Sequence, residues 1–148
     1  MKGIDTAVSR FADGFNCSQA VLSAFAGDFG LDDATALKIA SGFGGGMGRM
    51  ANTCGAVTGA FMVLGLRYGQ TSSDREAKEA IYARIREFAR RFQARNGSVV
   101  CRDLLGCDIG TPEGLQRAKD EKLLTTICPK FVRDACEILE EMLKLNQE

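Results

Sequence analysis

Six cysteines, at positions 17, 54, 101, 107, 128 and 136, and no histidine define the chemistry open to this chain of 148 residues. Without imidazole, the chain alone cannot build a Ser-His or Cys-His catalytic pair, a His-ligated zinc or a His-ligated haem. What remains is sulfur: thiolates can attack disulfides and peroxides, and they bind soft metals and iron–sulfur clusters. No CxxC occurs, which argues against a thioredoxin-type motif, zinc ribbons and the usual ferredoxin loops. A site assembled from distant segments stays open.

Four of the six fall where helices should begin. Asn16 suits an N-cap, with Gln19 completing a capping box, so Cys17 is the first residue of a helix running to about Phe29. Asn52 or Thr53 caps another that extends through Tyr68 to Gly69, placing Cys54 in its first turn. Ser98 opens a short helix ended by Gly106, with Cys101 in its first turn and Cys107 just beyond its end. Cys128, before Pro129, caps a last helix reaching about Leu145. A helix N-terminus favours a negative sulfur by roughly 0.3 to 1 kcal/mol, less than about one pKa unit. One helix end is therefore too weak to activate a thiol; several converging on one pocket, with Arg49, Arg102 or Lys130 nearby, add up, and a metal cation would complete the ionisation. Cys136 continues the apolar pattern Val132, Leu139, Leu143 and reads as core. Cys107 fits a resolving thiol, an extra ligand or filler.

The elements around these cysteines also read as helices. Apolar residues recur at helical spacing and no long stretch alternates with period two, so the expected fold is all-α: a compact bundle of about six to eight helices in one domain, 1–148, with a glycine-rich loop. A first helix spans about Asp5 to Asp13, another Asp33 to Ser41. Ser73 with Glu76 opens the longest, to about Arg95, with Ala77, Ile81, Ile85, Phe88 and Phe92 as its apolar stripe and a basic second half that reads as a solvated face. Thr111-Pro112-Glu113 starts another.

Gly42 to Gly48 cannot be regular structure without a large entropic penalty. Gly46-Met47-Gly48-Arg49-Met50-Ala51 formally fits GxGxxA, but a helix precedes it and no βαβ unit surrounds it, so a nucleotide site is not expected. The loop is better placed to wrap the start of the Cys54 helix, where the backbone of Gly44, Gly45, Gly46, Gly48 and Gly55 can bring N–H groups to a sulfur, a sulfide or another anion. Gly55 and Gly59 also give that helix a face for close packing, which permits a homo-oligomer without demanding one.

Asn16-Cys17-Ser18-Gln19-Ala20-Val21-Leu22, the Gly42 to Gly48 loop, Thr53-Cys54-Gly55-Ala56-Val57-Thr58-Gly59-Ala60 and the later Cys101 and Cys128 together resemble the C_GCAxxG_C_C family, whose members are described as redox-active proteins. The resemblance covers nearly the whole chain. It implies that Cys17, Cys54, Cys101 and Cys128 are the pattern cysteines. The family name writes glycine before the central cysteine, whereas here Thr53 precedes Cys54 and Gly55 follows it. Related sequence accompanies haem-binding segments in split-Soret cytochromes, but the chain has no CxxCH for covalent haem.

Lys+Arg and Asp+Glu both number 19, so charge draws the chain neither to nucleic acid nor to an anionic membrane. The start, Met1-Lys2-Gly3-Ile4-Asp5, does not read as a secretory signal, and no apolar run approaches the ~20 residues of a membrane span. A cytoplasmic setting is expected, where unpaired cysteines point to metal or redox roles. The leading expectation is an electron-transfer protein with a metal ion or iron–sulfur cluster on Cys17, Cys54, Cys101 and Cys128, serving an unknown redox partner. A thiol–disulfide or peroxide-reactive enzyme is the first rival, with Cys54 attacking and Cys17 or Cys101 resolving. A helical interaction module with inert cysteines is the second.

Overall fold

The computed structural model describes residues 2–144 and is all-helical, as the periodicity requires. The expected end of the last helix, Leu145, lies outside those residues. Helix α1 (Lys2–Ala12) starts one turn earlier than its apolar spacing suggests, and α2 (Cys17–Ala26) yields to a 3-10 turn at Gly27–Phe29. Then come α3 (Asp33–Ala40), α4 (Gly55–Tyr68), α5 (Arg75–Asn96), α6 (Cys101–Leu105), α7 (Pro112–Asp120), α8 (Leu123–Thr126) and α9 (Cys128–Lys144). The single turn α8 is the one helix that periodicity did not foretell. No described helix is long and apolar enough to cross a membrane.

The capping box at α2 is formed in full: the Gln19 amide donates to Asn16 Oδ1 at 2.8 Å and the Asn16 amide to Gln19 Oε1 at 3.1 Å. The same two side chains reach further, Asn16 Nδ2 donating to Ser41 O and Gln19 Nε2 to Leu37 O, so the start of α2 is tied to α3 and the glycine loop. Thr111 caps α7 as expected. Three caps differ. Asp74, not Ser73, accepts the first amides of α5. Val100, not Ser98, precedes α6, because Ser98 turns its hydroxyl to the Val100 amide and Asp103. Cys54 itself is the residue before α4, and Cys128 is the first residue of α9.

Two hydrophobic cores result. The larger joins α1 through α5 to α9 around Phe88, Phe92, Leu22, Leu64 and Ile138, with Cys136 fully buried in it. Cys136 is thus core, as its spacing indicates. The smaller gathers Ala51, Cys101, Leu105, Ile109, Ala118 and Leu123 under α6 to α8. Helix α5 is held to α9 by ion pairs of Arg91 with Glu141 and of Arg95 with Asp134, Glu137 and Glu141, so two arginines of its basic half serve the fold.

Candidate functional site

The site lies where the two cores meet, and short backbone pairings put its parts there. Residues 51–54 run beside 99–102: Thr53 and Val100 form an antiparallel bridge, Cys54 N–H donates to Val99 O at 2.8 Å, and Cys101 N–H to Asn52 O at 2.6 Å. This pairing keeps residues 52 and 53 extended, so α4 cannot begin before Cys54 and neither Asn52 nor Thr53 can serve as its cap. It also sets the start of α6 beside the start of α4.

Helix α2 meets α4 at unusually short range. A methyl group at Gly55 would stand 2.5 Å from Cys17 Sγ, and one at Gly59 would stand 2.8 Å from Ser18 O. The small face of α4 is therefore occupied by α2 within the chain, which withdraws Gly55 and Gly59 as a basis for self-association. Ser18 Oγ and Thr58 Oγ1, 3.4 Å apart, join the helices at the same level.

The glycine loop closes the third side. Gly45, Gly46, Met47, Gly48 and Arg49 are consecutively left-handed, with φ of 64°, 70°, 67°, 60° and 62°. Gly44 lies on Asn16, where a methyl group would come within 2.5 Å of its Cβ. Only glycine fits at 44 and at 46, where a methyl group would stand 2.5 Å from the Asn52 nitrogen, whereas Met47 and Arg49 take the left-handed conformation with side chains.

These elements enclose a cavity of about 510 Å³ whose wall includes Cys17, Cys54, Cys101 and Cys128 together with Gly44, Gly45, Gly46, Gly48, Gly55 and Arg49. Every sequence-derived site residue stands on that wall. Cys107 does not; it is half-buried in the smaller core. Of the three cations considered, only Arg49 lines the cavity: Lys130 pairs with Asp134 at 2.6 Å, and Arg102 is exposed elsewhere.

All six cysteines are free, but their surroundings differ. A hydrogen bond from the Cys54 thiol brings Cys17 from the ordinary 9.0 down to about 7 against the effect of burial, helped by the amides of Gly45, Cys17 and Ala56. The same bond, burial and the charge on Cys17 push Cys54 well up. Burial raises Cys101 and Cys128 to about 12, and the Cys17 charge adds to both. The wall thus carries one lowered thiol, Cys17, beside a raised partner, Cys54, and two further raised thiols. Spacing placed Cys54 and Cys17 at equivalent helix starts and could not rank them; what separates them is the Gly45 amide, which reaches Cys17 and not Cys54.

Among the described residues, no group of three or more Cys, Asp or Glu side chains is arranged to hold a metal ion. The four sulfurs line one cavity without converging on one point.

Residues 15–142 match the family model described as "Putative redox-active protein (C_GCAxxG_C_C)". The chain belongs to that family. No curated protein and no solved structure matches it. In register with Ala56 and Gly59, the family name has Gly-Cys where this chain has Cys54-Gly55. The geometry accounts for the order found here: a side chain at 55 would strike Cys17 Sγ, so the sulfur that α4 contributes comes from the preceding position.

Proposed function

We propose that the protein is a thiol–disulfide redox protein whose working pair is Cys17 and Cys54. The observation that carries this reading is the place of Cys17 and Cys54 on one cavity wall, close enough to act on each other, with the lowered thiol on Cys17. The roles are then the reverse of those assigned from spacing: Cys17 attacks and Cys54 resolves.

The chemistry balances as two exchanges. Cys17 thiolate attacks one sulfur of a substrate disulfide, forming a mixed disulfide and expelling the other half as thiolate. Cys54 then loses its proton and attacks the Cys17 sulfur, closing Cys17–Cys54 and releasing the second half. Two electrons pass from the protein dithiol to the substrate, and an external thiol donor restores the pair. A lowered attacking thiol beside a raised one suits this order, since the buried Cys54 stays protonated until the thiolate has been consumed. Such a cycle fits a reducing compartment such as the cytoplasm.

Trapping decides the roles. Cys54→Ser should accumulate a mixed disulfide on Cys17, seen by mass spectrometry, while Cys17→Ser should leave Cys54 unmodified at neutral pH. Accumulation on Cys54 instead would reverse the assignment.

A second reading rests on a separate observation, the presence of four sulfurs around one cavity. A soft metal ion or iron–sulfur centre for electron transfer would draw on Cys17, Cys54, Cys101 and Cys128, and its charge would offset the burial that holds three of them protonated. The four must close inward to act as ligands, because no three are so arranged. Anaerobic reconstitution with iron and sulfide, or with zinc, tests it: stoichiometric metal that is lost in Cys101→Ser supports the centre, and sub-stoichiometric metal removes it.

A further inference from the structure

The glycine loop does more than pack. Amides of Met47, Gly48, Arg49, Met50, Ala51 and Asn52 all donate to carbonyls within residues 42–47, and the Gly45 amide serves the Cys17 sulfur. Among the described residues, the amides of Gly44 and Gly46 donate to no backbone carbonyl. Gly46 is buried and lines the cavity. A buried amide without an acceptor is rare in folded proteins, and successive backbone N–H groups of a turn can form concave sites for anions. Beside it, the Arg49 stem crosses Gly45, where a methyl group would stand 2.8 Å from Arg49 Cγ. The exposed Arg49 guanidinium makes no ion pair or hydrogen bond among the described residues, although Arg49 lines the cavity. The lining also has an apolar part, with Phe11, Leu104 and Phe131. A volume of about 510 Å³ is of small-molecule size.

We propose that the loop and Arg49 form an anion subsite, and that the substrate is a low-molecular-weight disulfide carrying a carboxylate. The inference rests on the thiol–disulfide reading and names its substrate class. The carboxylate binds the Arg49 guanidinium and the amides of Gly44 and Gly46, the apolar part lies along Phe11 and Phe131, and the disulfide faces Cys17. Charge at the site is not all favourable: the Cys17 thiolate repels an anion, and the Asp108 carboxylate, whose Oδ1 accepts the Gly110 amide at 2.8 Å, lies near enough to act on Cys101. Arg49 and the two amides must outweigh both, so the subsite is sensitive to loss of the guanidinium.

The test compares two probes on the reduced full chain: 5,5′-dithiobis(2-nitrobenzoate), an anionic disulfide, and 2,2′-dithiodipyridine, a neutral one. Each rate of Cys17 modification, counted as loss of its free thiol to either the mixed disulfide or the Cys17–Cys54 disulfide and read by site-resolved mass spectrometry, is divided by the rate with a free small thiol. The normalised anionic-to-neutral ratio should fall by about tenfold in Arg49→Gln, the least that a charge-assisted hydrogen bond contributes. Arg49→Lys should recover part of it, and circular dichroism checks that both variants are folded. A ratio unchanged in Arg49→Gln, with Cys17 still modified by both probes, overturns the anion subsite and leaves the redox pair standing. Failure of both probes to modify Cys17 in the wild-type chain overturns the redox pair and the subsite together.

Discussion

Cys17 and Cys54, which helix position alone treats alike, share one thiol contact and are made unequal by the Gly45 amide, which acts on Cys17 alone. The Cys54 thiol is the first cause of the lowering of Cys17, so Cys54→Ala should raise the Cys17 value above about 7, whereas Cys54→Ser keeps a hydroxyl donor and should raise it less. The rise of thiolate absorbance with pH checks both. Ionised Cys17 contributes stability above the ordinary 9.0, and that contribution is lost as pH falls through about 7. Cys101, Cys128 and Cys136 act oppositely: held up at about 12 by burial, they stabilise the fold below 9.0 and lose that contribution as pH climbs toward 12. Denaturation midpoints should therefore drop steeply on the alkaline side. Cys136→Ser, which buries a hydroxyl in an apolar core, should cost about 1–3 kcal/mol without changing Cys17 reactivity, as denaturant titration and alkylation would show. Which cysteines share the cavity was legible from their places at helix starts, and the buried place of Cys136 from the apolar period around it. Their division of labour was not, since it depends on contacts between residues far apart in the chain.

At the level of elements, the glycines of α4 separate packing from chemistry. Gly55→Ala places a methyl group 2.5 Å from Cys17 Sγ and should both destabilise the fold, by about 1–3 kcal/mol, and displace the sulfur, slowing its alkylation at neutral pH. Gly59→Ala meets Ser18 O at 2.8 Å and should destabilise comparably while moving Cys17 less. Gly65 has open space around it, so Gly65→Ala should gain about 0.5–1 kcal/mol from helix propensity alone. Most helices were legible because their periods and stops are local: the Asn16 and Gln19 box, Thr111 before Pro112, Gly97 after α5. The start of α4 was not. Thr53 and Asn52 look like caps in isolation, but their backbone is committed to residues far along the chain, a pairing with no local signature. The turn α8 is too short to show a period.

Across the whole molecule, the cavity sits at the seam between a large core that carries Cys17 and Cys54 and a small one that carries Cys101. Helix α7 packs on α8 and α8 on α9, while neither packs extensively on α1 to α5. The α6 to α8 segment is thus the least supported wall of the site, and its amides should exchange with solvent before those of α4 and α9, as hydrogen-exchange mass spectrometry would reveal. Composition had indicated one domain and helical periodicity an all-α fold; the division into two cores was hidden because it depends on how the short helices pack. The most direct test of the account is site-resolved alkylation of the reduced protein across pH. It predicts that Cys17 becomes reactive with a midpoint near 7 while Cys54, Cys101 and Cys128 stay unreactive beyond 9.0. Four cysteines titrating together near the ordinary thiol value, or Cys54 reacting first, would contradict it.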